Sequence, residues 1–166
     1  MTDYIRAKGA AAFGTRLRRL SERLDRQVQS LYRAHDSTFQ PRWFAIVSAL
    51  AEHDVLSVGE LAALLGITHA AISQLRGELI AAGLARARPD PADGRRQLLE
   101  LSAGGKRTVT RLQPLWQAIA AATEQLCAEA APGLLADLDR LETALESRPM
   151  AERVALSGAQ ASKASV

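Results

Sequence analysis

The sequence is short of cysteine, aromatics and long apolar runs, and each shortage rules out a class of protein. One cysteine, Cys127, among 166 residues leaves no disulfide to form within the chain, and a reducing compartment is expected. Aromatics make up 4% of the residues while alanine and leucine abound, a balance that favours helices over sheets. No apolar stretch reaches the roughly 18–20 residues needed to cross a bilayer. The opening MTDYIRAKGAAAFG lacks the apolar centre of a secretory signal. A cytoplasmic protein with no membrane partner is expected. There is no glycine-rich phosphate loop, nucleophile elbow or pair of catalytic carboxylates at a useful spacing, so neither an enzyme nor a cofactor is implied. His35, His53 and His69 have neither helical i, i+4 spacing nor cysteine neighbours, so no metal site is expected. The formal net charge is only +3, so positive charge must act through clusters.

What the chain does have is helical periodicity. Phe13, Leu17, Leu20, Leu24, Val28 and Leu31 recur in steps of three and four, one face of a helix over about 11–34. Arg16, Arg18, Arg19, Arg23 and Arg26 fill other positions. Pro41 suits a first helical turn and opens a second helix to about residue 53. Ser57 with Glu60 makes an S-x-x-E capping box before a helix over about 58–65. Gly66 breaks it, Thr68 can cap another over about 69–82, and Gly83 takes the left-handed position after its end. Two short runs, 84–88 and 97–101, read as strands around the turn-forming DPADG. A helical pattern resumes after Ser102, with a kink or break expected at Pro114. Pro132-Gly133 marks a turn, and Leu134, Leu138, Leu141 and Leu145 stripe a final helix. Residues 148–166 lose periodicity and are expected to form a disordered tail.

The block SVGELAALLGITHAAISQLRGELIAAG, residues 57–83, is a helix-turn-helix pattern. Ala62 and Gly66 are small where two helices cross, and Leu61, Leu65, Ile67, Ile72, Leu75 and Leu79 supply apolar contacts. With Ile72, Leu75 and Leu79 inward, the outward face carries Thr68, His69, Ala70, Ser73 and Gln74, none of them acidic. Small or hydrogen-bonding residues of that kind suit a helix that approaches base edges in the major groove. Arg76 lies to the side, suited to the phosphate backbone, and Glu78 points away. A plain αα-hairpin with no nucleic-acid role is the alternative. The hairpin that follows makes the order that of a winged helix. Arg95 and Arg96 sit at or just past its tip, where an arginine can enter a narrow minor groove. Arg86 and Arg88 stand nearby to neutralise phosphates, and Asp93 can hold the Arg95 guanidinium.

These motifs resemble the MarR family of bacterial winged helix-turn-helix regulators over roughly residues 11–147. The family's wing motif, D-x-R then L-x-L-T/S and x-x-G, maps onto Asp93, Arg95, Leu99, Leu101, Ser102 and Gly105. The family commonly has arginine at the middle of D-x-R, where this chain has Gly94. The resemblance implies a mainly α (α+β) fold: a winged helix-turn-helix over 41–102 with long dimerisation helices over 11–34 and 103–147. Leu17, Leu20, Leu134, Leu138 and Leu141 are the candidate dimer contacts. Two copies would read a pseudo-palindromic double-stranded operator. The resemblance also implies a repressor released by a small aromatic or anionic effector, for which His35, Phe39, Arg42, Trp43 and Trp116 are candidate pocket residues. Core packing is the other reading for those aromatics. A winged-helix protein-interaction module without DNA binding is the alternative function.

Overall fold

A computed structural model of the chain describes residues 3–35, 37–93 and 96–164, with side chains through Ser157. It divides into two compact units, 1–114 and 115–166.

The first unit begins with a short helix, α1 (Tyr4–Ala7), capped by Asp3, whose carboxylate accepts from the amides of Ile5 and Arg6 at 3.0 and 3.2 Å. A 3-10 turn leads into α2 (Phe13–Ala34). The periodic apolar face of α2 stays open: Phe13, Leu17, Leu20, Leu24 and Leu31 are all exposed, and within the helix only Tyr32, in the last turn, is buried. Pro41 starts a second 3-10 turn that runs into α3 (Phe44–His53), whose Ile46, Val47 and Leu50 are buried. A short strand, β1 (Val55–Ser57), follows.

Helix α4 (Val58–Leu65) starts with the capping box read from the sequence: the Glu60 amide donates to the Ser57 hydroxyl and the Ser57 amide to the Glu60 carboxylate. It ends at Gly66, which adopts φ 64° as a left-handed terminator must. Thr68 caps α5 (His69–Ala81), and Gly83 turns the chain out at φ 69°. Strands β2 (Ala85–Pro89) and β3 (Gln97–Leu101) form the wing hairpin, with Ala85 opposite Leu101 and Pro89 opposite Gln97. β1 pairs antiparallel on the other side of β3, giving the order β1-β3-β2. The core lies among these elements and the start of the helix that follows: Ile46, Leu50, Leu61, Ile72, Leu79, Leu99 and Leu112 are all essentially inaccessible to solvent.

Helix α6 (Ala103–Ala130) carries Pro114 inside it without a break in the helix. Pro114 costs the carbonyl four residues earlier its helical donor. Thr110 and Pro114 both lie on the exposed side, where water can replace that bond, so the helix continues past the expected break.

The second unit holds the remainder of α6, then α7 (Leu134–Ser147) after Gly133 at φ 85°, and α8 (Met150–Ala164). Of the tail expected to be disordered, Met150–Ala164 is therefore a helix. MAERVAL is built from good helix formers, and Pro149 immediately before it suits a helix start. Arg153 also donates to the carbonyls of Arg148 and Ala144, tying α8 to the end of α7. Among the described residues, no single helix is long and apolar enough to cross a membrane.

Candidate nucleic-acid interface

Helix α5 is rotated as its pattern requires. Ile72 and Leu79 are fully buried, which turns Thr68, His69, Ala70, Ser73 and Gln74 to the surface. The Thr68 hydroxyl accepts from the Ala71 amide at 3.2 Å, fixing the start of the helix. His69 packs its ring toward Gly59 of α4, where an added Cβ would lie 3.5 Å from its Cε1. Arg76 is half-buried, and among the described residues its Nε has no hydrogen-bond partner. A groove of about 610 Å³ runs between α4, α5 and β3, lined by Ser57, Glu60, His69, Ser73, Arg76 and Arg96 among others.

Glu78 joins this helix to the 3-10 turn that precedes α3. Its Oε2 accepts from Trp43 Nε1 at 2.8 Å and Arg42 Nε at 2.9 Å, and its Oε1 from Gln74 Nε2 at 3.5 Å. The Trp43 hydrogen bond above all, then those of Arg42 and Gln74, holds the carboxyl below its ordinary range against an opposing desolvation. Sequence reasoning turned Glu78 away from DNA but missed its partners, which lie 35 and 36 positions back along the chain.

The wing's arginines are engaged more than their spacing suggested. The register sets Arg86 opposite Glu100, and its Nε donates to that carboxylate at 2.8 Å. Arg88, on the same face of the strand, comes within 3.7 Å of the same oxygen. Arg96 donates to the Ser57 hydroxyl at 3.1 Å and lies 3.5 Å from Glu60 and 3.8 Å from Asp90. It thereby ties the hairpin to the cap of α4. The hydroxyl and amide of Ser57, and more weakly Arg96, keep the Glu60 carboxyl below its usual range. At the tip, the Arg96 amide donates to the Asp93 carbonyl at 2.8 Å. Arg95 and Gly94 lie outside the described residues, as does any Asp93–Arg95 pair. Glu100 was missed because only the strand register brings it to Arg86.

The five candidate pocket residues play different parts. Phe39 and Trp43 are buried in an edge-to-face cluster with Tyr32, ring centres 5.1 and 5.8 Å apart in sequence. They fill core space here, which is the packing alternative the sequence left open. His35 donates through Nδ1 to the Leu31 carbonyl at 3.0 Å and finishes α2. Arg42 is exposed and lines a cavity of about 210 Å³ with Asp25, Arg26, Gln29, Gln40 and Pro41. Trp116 belongs to the second unit and is half-buried. Among the dimer candidates Leu17, Leu20 and Leu141 are exposed, while Leu134 and Leu138 are half-buried. Among the described residues, no group of three His, Cys, Asp or Glu side chains is placed to hold a metal ion.

No curated protein matches the chain. Among solved structures, a cysteine-to-serine variant of MarR from E. coli in complex with operator DNA is similar at 17% identity, with TM-score 0.64, covering 87% of this chain and 99% of its own. PcaV from Streptomyces coelicolor, a transcriptional regulator solved with its natural ligand, is similar at 23% identity and TM-score 0.60, covering 89% and 99%. BpsR from Bordetella bronchiseptica, whose DNA binding is regulated by 6-hydroxynicotinic acid, is similar at 23% identity and TM-score 0.62, covering 80% and 91%. The fold is the one these regulators share, a mostly helical chain around a three-stranded winged sheet. Residues 37–96, which hold α3, the helix-turn-helix and most of the wing, match the MarR family model. That match lies inside a fold shared with these solved structures along most of the chain, so the likeness to the MarR family is carried by residues 37–96.

Proposed function

We propose that this chain is a transcription regulator that binds double-stranded DNA in a sequence-specific way as a homodimer. The carrying observation is the open face of α5, where five side chains, none of them acidic, offer hydrogen bonds and small surfaces to a groove. Arg76 stands at its flank and the wing beside it. The solved E. coli relative in complex with operator DNA supports the same use of the fold. Dimerisation accounts for the apolar stripe that α2 leaves open, edged by Arg16, Arg19, Arg23 and Arg26. Helix α7 carries Asp137, Asp139, Glu142 and Glu146, charges that complement those arginines in a second copy. Repression relieved by a small acid is the mode we assign. The relatives solved with, or regulated by, a small molecule support it, as does the small cavity that Arg26 and Arg42 line.

Selection of bound sequences from a random duplex pool, followed by a salt titration, tests this reading. The expected result is a pseudo-palindrome with half-sites about 10 base pairs apart. Log affinity should fall linearly with log salt, by about 0.9 per phosphate contacted. Arg95→Ala should weaken binding. The carboxylate partners of Arg86, Arg88 and Arg96 favour the second reading, a protein-interaction module whose wing charges serve the fold. That reading predicts no duplex selected and no salt-dependent binding.

A further inference from the structure

We propose that Glu78 positions the Gln74 side chain for reading a base pair, an inference that rests on the DNA-binding role assigned above. A carboxylate only accepts hydrogen bonds, so Gln74 must turn its amide nitrogen, not its carbonyl, toward Glu78. The observed contact, Nε2 to Oε1 at 3.5 Å, has that sense. It uses one amide hydrogen and leaves the carbonyl oxygen and the second N–H. Those are the two groups with which a glutamine accepts from adenine N6 and donates to adenine N7. Glu78 can hold this orientation because its other oxygen is fixed by two donors, Trp43 at 2.8 Å and Arg42 at 2.9 Å. Trp43 is buried in the aromatic cluster, so the carboxylate is anchored to the core through it. Glu78 is ionised at neutral pH, as any glutamate with its carboxyl at or below the ordinary range is, and hence an acceptor only. Glu78 is thus a positioning residue: it faces no base and acts through Gln74.

The test compares base preferences selected by the full-length parent, Gln74→Ala and Glu78→Gln from one randomised duplex pool. Melting temperatures and salt slopes are measured alongside. The Glu78→Gln amide can donate or accept, so the Gln74 amide is free to flip. The parent should prefer adenine at one position of each half-site, and Gln74→Ala should lose that preference. Glu78→Gln should reduce it at the same position by about five- to tenfold, the lower end of what a bidentate contact contributes. Other positions and the salt slope should stay unchanged. Parental preferences in Glu78→Gln would overturn the inference alone. So would a uniform loss of affinity with a lowered melting temperature, which marks a merely structural glutamate. A parent that selects no duplex would overturn the DNA-binding role, and the inference with it.

Discussion

Replacing Gly105 by alanine should be the most damaging single-methyl change in the winged helix. A Cβ built at Gly105 falls 2.0 Å from the Leu84 carbonyl oxygen, 3.0 Å from its carbon and 3.3 Å from Leu101 Cδ2. The obstacle is backbone, at the residue that leads from α5 into the wing, so no rotamer change relieves it. Leu84 and Leu101 are both buried, and the Leu84 carbonyl also accepts from the Ser102 amide at 3.0 Å. Pushing it aside costs overpacking of about 1–3 kcal/mol. It also weakens a hydrogen bond worth about 0.5–1.5 kcal/mol. Alanine's helix preference returns at most about 1 kcal/mol. The expected loss is about 2 kcal/mol, read as a lower urea midpoint by circular dichroism at one fixed protomer concentration. Gly77→Ala is the control. It lies within α5 with nothing within 4 Å of its added Cβ, so it should gain about 0.5–1 kcal/mol. A Gly105→Ala midpoint matching the parent would refute the packing argument.

Two further predictions concern the first unit. Leu20→Glu puts a charge in the open apolar stripe of α2 and should convert a dimer to monomers at micromolar concentration, seen by light scattering after size exclusion; an unchanged mass would exclude α2 from the interface. Asp3 should titrate at about 2 by carbon-detected NMR instead of near 3.8, chiefly because Arg19 donates to it and then through the Arg6 amide. Since the folded value is the lower one, the stabilisation is complete above the ordinary value and is lost as pH falls through about 2. In Arg19→Ala the midpoint should move up.

The helix-turn-helix was legible because its signals are local. Ser57 with Glu60, Gly66, Thr68 and Gly83 each mark a helix end through their own conformation or a contact within three residues, and all four marks stand where the sequence placed them. The wing strands came within a residue of their observed limits for the same reason: proline, aspartate and glycine mark the turn. β1 was not legible. Three residues hold no readable period, and Val55–Ser57 is a strand only because Leu98–Glu100 pair with it. Trp43 and Phe39 illustrate the limit at the site. A tryptophan beside an arginine suits a pocket or a core equally, and the sequence does not encode that Trp43 is buried edge-to-face against Phe39. The pairs Arg42–Glu78 and Arg86–Glu100 depend on tertiary placement and strand register, which residue types do not encode.

Ser102 has a consequence for how this scaffold can be altered. Its hydroxyl donates to the Gly83 carbonyl at 2.6 Å and accepts from the Gly105 amide at 2.9 Å, while its own amide holds the Leu84 carbonyl. One residue thus ties both feet of the hairpin and the start of α6 together. Between the feet, the hairpin stays joined to the helices through Leu99, buried in the core, and through Arg96 at the cap of α4. Doubling the length of the tip costs only about 0.6 kcal/mol of closure entropy. The segment between Pro89 and Arg96 is therefore an exchangeable cartridge, in which loops of new length and charge can be installed while Arg96 keeps its hold on the cap of α4.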